Sequence, residues 1–259
     1  MGVLNIAPDS FSDGGSYLAP EAALRRAEVM IEEGAALIDI GGESTRPGAR
    51  AVSTQEELDR IMPVLTALVR DFRTPVSVDT TKPVVMAEAS RAGAAMINDV
   101  RALQEPGALE ALAASSVPVC LMHMQGAPAT MQHEPHYDDV VAEVKGFLAS
   151  RLQACKAAGI AEDRLIIDPG FGFGKTLAHN LTLLNHLGEF LDLGAPLLVG
   201  LSRKSMLGAI LDTPVGERLY GGLAAAVIAA WQGARIIRTH DVKATVQALQ
   251  VCSAVLAAG

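Results

Sequence analysis

Residues 76–98 read VSVDTTKPVVMAEASRAGAAMIN. A short apolar run closes on a carboxylate at Asp79, a helix-like stretch runs to Gly93, and a second apolar run closes on an amide at Asn98. Working outward, the same unit recurs, with strand ends at Asn5, Asp39, Asp79, Asn98, His123, Asp168, Ser202 and Arg238. About eight strand-then-helix units close a parallel barrel, and about 250 residues is its usual size; the chain has 259. The predicted fold is α/β: a single (β/α)8 TIM barrel, one domain over 1–259, with long loops after strands 1 and 2. The carboxyl ends of all its strands meet at one mouth, where side chains remote in sequence converge. That convergence predicts an enzyme.

Half the residues are hydrophobic, enough for a large core, and the formal charge is −8. An acidic balance argues against a nucleic-acid groove, which needs a basic face. No apolar run approaches the roughly 20 residues that span a bilayer, and no basic stretch precedes an apolar run as in a secretory signal. The three cysteines, Cys120, Cys155 and Cys252, are widely separated and lack metal-type spacing. They read as small core residues in a reduced, cytoplasmic compartment. The expected partners are small molecules, with neither nucleic acid nor membrane.

Helical spacing predicts helices over 20–33, with Pro20 at the first position, and 54–72, with Thr54 as N-cap and Glu57 completing a capping box. Further helices are expected over 81–93 and 107–115, along a fifth and longest one carrying Val140, Val144, Leu148, Leu152 and Cys155, and over 178–190, 217–232 and 242–258. Most strands read as near-continuous apolar runs, as parallel strands buried on both faces do. The stretches 8–16 (PDSFSDGGS) and 41–52 (GGESTRPGARAV) are long for connections of about 4–6 residues and read as ligand-covering loops.

Asp39, Asp79 and Asp168 close or follow apolar strands, where a carboxylate is costly to desolvate without a partner. With Asn98 they form a set of acceptors plus one donor, which suits a flat heterocycle with several N–H groups on one edge better than it suits a metal. Arg46, Arg203, Lys204 and Arg238, with His240 close by, gather cations at strand ends and point to an anion; Arg grips phosphate oxygens with a planar fork. For Arg203 a surface salt bridge is an equally good reading. The segment 170–176 (GFGFGKT) ends like a phosphate-binding loop, but Pro169 occupies the required first glycine position and Lys175 that of the third dinucleotide glycine. Its glycines read instead as letting backbone and Phe173 approach a bound ring. His123 reads as a strand-end core histidine, His179 and His186 as surface.

Together these motifs closely resemble the dihydropteroate synthases, folate-pathway enzymes of the pterin-binding barrel family. The matching segments are 1–15, 39–48 (DIGGESTRPG), 77–80 (SVDT), 97–100 (INDV), 122–126 (MHMQG), 168–175 (DPGFGFGK), 202–205 (SRKS) and 238–240 (RTH), effectively the whole chain. The resemblance implies condensation of 6-hydroxymethyl-7,8-dihydropterin diphosphate with 4-aminobenzoate, with Mg²⁺, in a sulfonamide-target enzyme whose relatives are homodimers. Carried over by position, Asp79, Asn98, Asp168 and Lys204 would hold the pterin ring. Asn5, Arg46, Arg238 and His240 would hold the diphosphate, with Asn5 close to the magnesium. Thr45, Pro47, Phe173, Ser202 and Lys204 would bound the aminobenzoate pocket, and Met122 belongs to the substrate site. Asp79, Asp168, Lys204 and Arg238 are the residues implied to carry catalysis.

Two positions depart from the family pattern. Ala7 stands where Thr is common, and the chain begins on strand one, where relatives usually carry a segment covering the barrel floor. A methyltetrahydrofolate-binding methyltransferase of the same family would share Asp79, Asn98 and Asp168 without needing Arg46, Lys204, Arg238 and His240. A non-catalytic pterin-binding module would need neither the Thr45-Arg46-Pro47 run nor the Arg238/His240 pair. An unrelated phosphate-handling barrel isomerase would show a Glu or Lys base and no ring-binding acceptors.

Overall fold

The apolar strand positions divide by parity between two layers. Strands β1 (Gly2–Asn5), β2 (Ile38–Gly41), β3 (Val76–Asp79), β4 (Met96–Asp99), β5 (Val119–Met122), β6 (Leu165–Asp168), β7 (Leu198–Gly200) and β8 (Ile236–Arg238) are all parallel to their neighbours in this computed structural model. It describes residues 1–6, 18–43, 52–126, 130, 131 and 133–258. Strands β1 to β6 pair in sequence order and β7 pairs with β8. Parallel bridges Ile167↔Leu197 and Gly2↔Thr239 join the two groups at both edges and close the barrel. Closure leaves no exposed sheet edge.

Leu4, Ile38, Ile40, Val78, Ile97, Leu121, Ile167 and Val199 belong to the main core that packs the strands against the helices. The alternate positions point into the barrel. Low in the barrel these are Met96, Cys120 and Leu198, flanked by Met1, Leu37, Ile166 and Ile236. Nearer the mouth they become polar: Asp39, Ser77, Asn98 and Asp168 are all buried. The strands are therefore not uniformly apolar. Their outward residues anchor the helices, and their inward residues near the carboxyl ends build a polar layer.

The helices are α1 (Leu18–Glu32), α2 (Thr54–Asp71), α3 (Pro83–Arg91), α4 (Ala108–Ala113), α5 (Val140–Ala157), α6 (Leu177–Asn185), α7 (Ser205–Leu211), α8 (Leu219–Trp231) and α9 (Val242–Leu256). Three expectations change. The N-cap of α2 is Ser53, whose hydroxyl accepts from the Glu56 N–H at 3.2 Å, so Thr54 is already helical and Glu57 is turned into the core. The helix expected over 178–190 breaks at His186 and continues as a 3₁₀ turn, Leu187–Leu193; the run Asn185-His186 and Gly188 favours helix poorly. Helix α5 is not longer than α2; each has 18 residues. No helix among the described residues is long and apolar enough to cross a membrane. All three cysteines are free and buried, as expected.

Candidate active site

Register alone gathers the strand-end side chains. Asn5 lies beside Gly41, Gly41 beside Asp79, and Asp79 beside Asn98, while Met122 lies beside Asp168 and Gly200 beside Arg238. These ends open on a cavity of about 590 Å³. Asp79, Asn98 and Asp168 line it together with Met122 and Phe173. Lys204, Arg238 and His240 line it from the strands that complete the ring, with Asn5 and Ser202 at the same mouth. Every described residue that the family resemblance assigns to the site is therefore in one cavity, whereas Asp39, expected in the acceptor set, does not border it. Thr45, Arg46 and Pro47, the two long loops' interiors and Ala7 lie outside the described residues.

Arg238 is engaged by two carboxylates in the free protein. Its Nε donates to Asp39 Oδ2 at 2.7 Å and its Nη2 to Asp79 Oδ2 at 3.2 Å. Asp39 is fully buried one layer below the cavity, and two neighbouring acids in a water-poor layer need a cation between them. Burial, then the like charge of Asp39, pushes the Asp79 carboxyl up to about 7 against the pull of Arg238. Burial pushes Asp168 up to about 6, opposed by the Gly170 N–H, which it accepts at 2.7 Å, and by Lys204. Lys204 is brought down to about 8 by burial and then by Arg238, with Asp168 and Asp79 holding its proton on. Its Nζ stands 4.2 Å from the Phe173 ring centroid, a cation–π contact. Arg203 takes the salt-bridge reading: it pairs with Asp241, although it also borders the cavity. His240 bonds Ser202 Oγ through its backbone N–H, at 3.2 Å, and its ring meets the same hydroxyl.

Gly170, Gly172 and Phe173 border the cavity, and the glycines of 170–174 also serve the fold. Gly170, Gly172 and Gly174 all have positive φ, at 70°, 77° and 64°. A Cβ on Gly170 would lie 1.8 Å from the His123 carbonyl oxygen, and one on Gly174 would lie 2.4 Å from that of Gln125. Those two glycines let the loop lie flat on the end of β5; Gly172 alone faces Lys204. Lys175 turns inward beneath the loop. Its ammonium donates to Gly170 O at 2.9 Å and Phe173 O at 3.1 Å and meets His123 Nδ1 at 2.9 Å. Burial, then Lys175, depresses His123 to about 3, so the imidazole is neutral and can accept. Burial brings Lys175 down to about 7. This lysine fastens the loop and is no phosphate ligand. His179, read as surface, is half-buried: it completes a capping box with Thr176 on α6 and stacks edge-on against Tyr137.

The model of the pterin binding enzymes matches residues 1–240. The dihydropteroate synthase of Escherichia coli strain K12 is 56% identical over 258 residues, covering 100% of this chain and 92% of the relative. The chain belongs to the pterin-binding enzyme family. A crystal structure of the Yersinia pestis dihydropteroate synthase with a sulfonamide drug superposes with a TM-score of 0.95 at 56% identity, over 99% of this chain and 94% of that one. The Xanthomonas albilineans dihydropteroate synthase with 4-aminobenzoic acid gives 0.94 at 54% identity, over 99% and 92%.

Several residues at the mouth of this pterin-binding barrel escape a sequence reading. Glu43, Met131 and Val215 border the cavity. Glu43 Oε1 accepts the Val52 N–H at 3.1 Å, tying the two described stems of the second long loop together. Its other oxygen pairs with Lys82, which also pairs with buried Glu57. Arg60 adds a bond to Gly42 O at 2.7 Å. The sequence signal for this network is Glu57, a carboxylate on the apolar stripe of α2 with Ile61, Val64, Leu65 and Leu68.

Proposed function

We propose that this chain acts as a dihydropteroate synthase. It joins 6-hydroxymethyl-7,8-dihydropterin diphosphate to 4-aminobenzoate, yielding 7,8-dihydropteroate and diphosphate for folate synthesis, with residues 1–259 working as one pterin-binding domain. The observation that carries this reading is one cavity lined both by the acceptors Asp79, Asn98 and Asp168 and by the basic side chains Lys204, Arg238 and His240, in a chain aligned throughout with enzymes of that name.

Asp79, Asn98 and Asp168 take the N–H edge of the ring, and Lys204 takes its carbonyl. Asn5, Arg46 and His240 hold the diphosphate. Arg238 neutralises Asp39 and Asp79 in the free protein; when ring N–H groups satisfy Asp79, its guanidinium faces the departing anion. Loss of diphosphate from the methylene carbon leaves positive charge spread into the ring. Asp79 and Asp168 stabilise that charge in a site with little water, where preorganised groups act most strongly. The amine of 4-aminobenzoate, bounded by Phe173, Ser202, Lys204, Thr45 and Pro47, attacks the methylene carbon. The nitrogen then becomes acidic enough to lose its proton without a dedicated base.

Among the described residues no three His, Cys, Asp or Glu side chains cluster as a metal site. Mg²⁺ commonly keeps several waters and binds one or two protein oxygens plus substrate phosphates. The Asn5 amide oxygen at the end of β1 fits that lesser share, with the diphosphate supplying the rest. Bound there, the ion would neutralise charge on the leaving group.

Exposed apolar side chains on α8 and α9, among them Ile228, Trp231, Val251 and Val255, support association of two copies. Free buried cysteines support a reducing cytoplasm. Sulfonamides would compete at the aminobenzoate pocket. The test is direct: incubate the protein with the pterin diphosphate, 4-aminobenzoate and magnesium, and measure dihydropteroate by mass spectrometry. Intact substrates after incubation would overturn the reading.

A further inference from the structure

Asp39 is a buried carboxylate that does not border the cavity. A buried ion pair is weak evidence for stability, because an apolar replacement of equal volume often does as well. The reason for a carboxylate there lies in what it touches. Its Oδ2 accepts from Arg238 Nε at 2.7 Å and stands 3.5 Å from Asn98 Nδ2. Arg238 has only the longer 3.2 Å bond left for Asp79. A guanidinium beside a single carboxylate closes on it with two parallel bonds. Alone with Asp79, Arg238 would take both oxygens and remove them from the substrate.

We propose that Asp39 is a positioning residue: by holding Arg238 through Nε, it keeps Asp79 from being sequestered and leaves it able to receive the pterin ring. Asp39 thus acts on the substrate without reaching it, through Arg238 and Asn98. The inference rests on the pterin-binding reading given above. The charged and titratable groups facing Asp79 among the described residues are Asp39 on β2, Asp99 on β4, Glu57 on α2, Arg238 on β8, Lys204 after β7 and the Cys120 thiol on β5. Removing the charge of Asp39 takes away a like charge and lets Arg238 close on Asp79. Both changes lower the Asp79 titration.

The test compares wild type with Asp39→Asn, which keeps the side-chain shape. Wild-type turnover and pterin binding are measured first, so a failure of the functional reading shows itself before the variant is made. The acid limb of kcat/KM for the pterin diphosphate should move to lower pH by about half a unit or more. Pterin affinity at neutral pH should weaken about tenfold, with KM for 4-aminobenzoate unchanged. A purely structural Asp39 would lower the melting temperature and leave the limb in place, and that result would overturn the proposal. If Asp39→Asn does not fold, Arg238→Lys tests the same charge balance from the other side. A lysine cannot serve both acids in the guanidinium geometry, so the limb should move up; an unmoved limb would overturn the proposal.

Discussion

Lys82 gives the sharpest test of how the mouth of the barrel is held. It precedes α3, and its ammonium lies between Glu43 and Glu57. Glu57 is 1% exposed and Glu43 28%, so the lysine balances one acid inside the core and one at the cavity edge. Lys82→Met keeps the length and removes the charge. A carboxylate left buried without its partner destabilises by about 3–5 kcal/mol. Lys82 and Glu43 retain some contact with water, which places the expected loss near the lower figure, about 3 kcal/mol. For a domain of this size that is a melting-temperature drop of roughly 6–12 °C. Thermal and urea unfolding followed by circular dichroism measure it. Adding Glu57→Gln should recover at least half of the loss, because the buried charge is then gone. A Lys82→Met protein within about 1 kcal/mol of wild type, as for an exposed pair, would refute the account.

Gly170→Ala should be severely destabilising, since φ is 70° and the new Cβ would sit 1.8 Å from a carbonyl oxygen; a folded, active variant would remove the close approach to β5. Lys204→Ala should lower turnover at least tenfold, about 1.4 kcal/mol of transition-state stabilisation, and steady-state kinetics showing near-normal turnover would remove Lys204 from the assigned pocket. Asp168→Asn should weaken pterin binding by calorimetry, because it replaces an acceptor with a donor at one oxygen; unchanged affinity would take Asp168 out of the site. Affinity for a pterin lacking the diphosphate should rise between pH 5 and 7 as Asp168, near 6, and Asp79, near 7, ionise, and fall above about 8 as Lys204 loses its proton. The free protein's stability should run the other way over the acid part. The folded state binds those two protons more tightly than the unfolded chain, so their contribution, full below about pH 4, is lost as pH rises through 6–7. Calorimetric titrations with no pH dependence would contradict both.

The strand-end periodicity carried most of the architecture, because each inward polar residue sits at a fixed parity from outward apolar ones. Asp79, Asn98, Asp168 and Arg238 were legible for that reason. Their pairings were not. Arg238 meets Asp39 across 199 residues of chain, a contact set by barrel closure and by no local pattern. Lys175 resembles half of a phosphate motif in sequence, but its ammonium lies under the loop on three acceptors, a placement set by tertiary packing and by no local pattern. Ser53 and Thr54 are equally good caps by type, and backbone geometry chose the first. With Ser53 as the cap, Glu57 is freed from capping and turns inward to Lys82.

The ring of strands is completed by β8, and β8 also carries the cation that Asp39 and Asp79 share. While a ribosome is still making the chain, the two acids are thus synthesised long before their common counter-charge. A nascent barrel lacking Arg238 has reason to stay loose at the side where β1 awaits its neighbour. The last strand to emerge is then both the final stave and the clasp that pairs the two acids, so their charge balance waits on the strand that closes the wall.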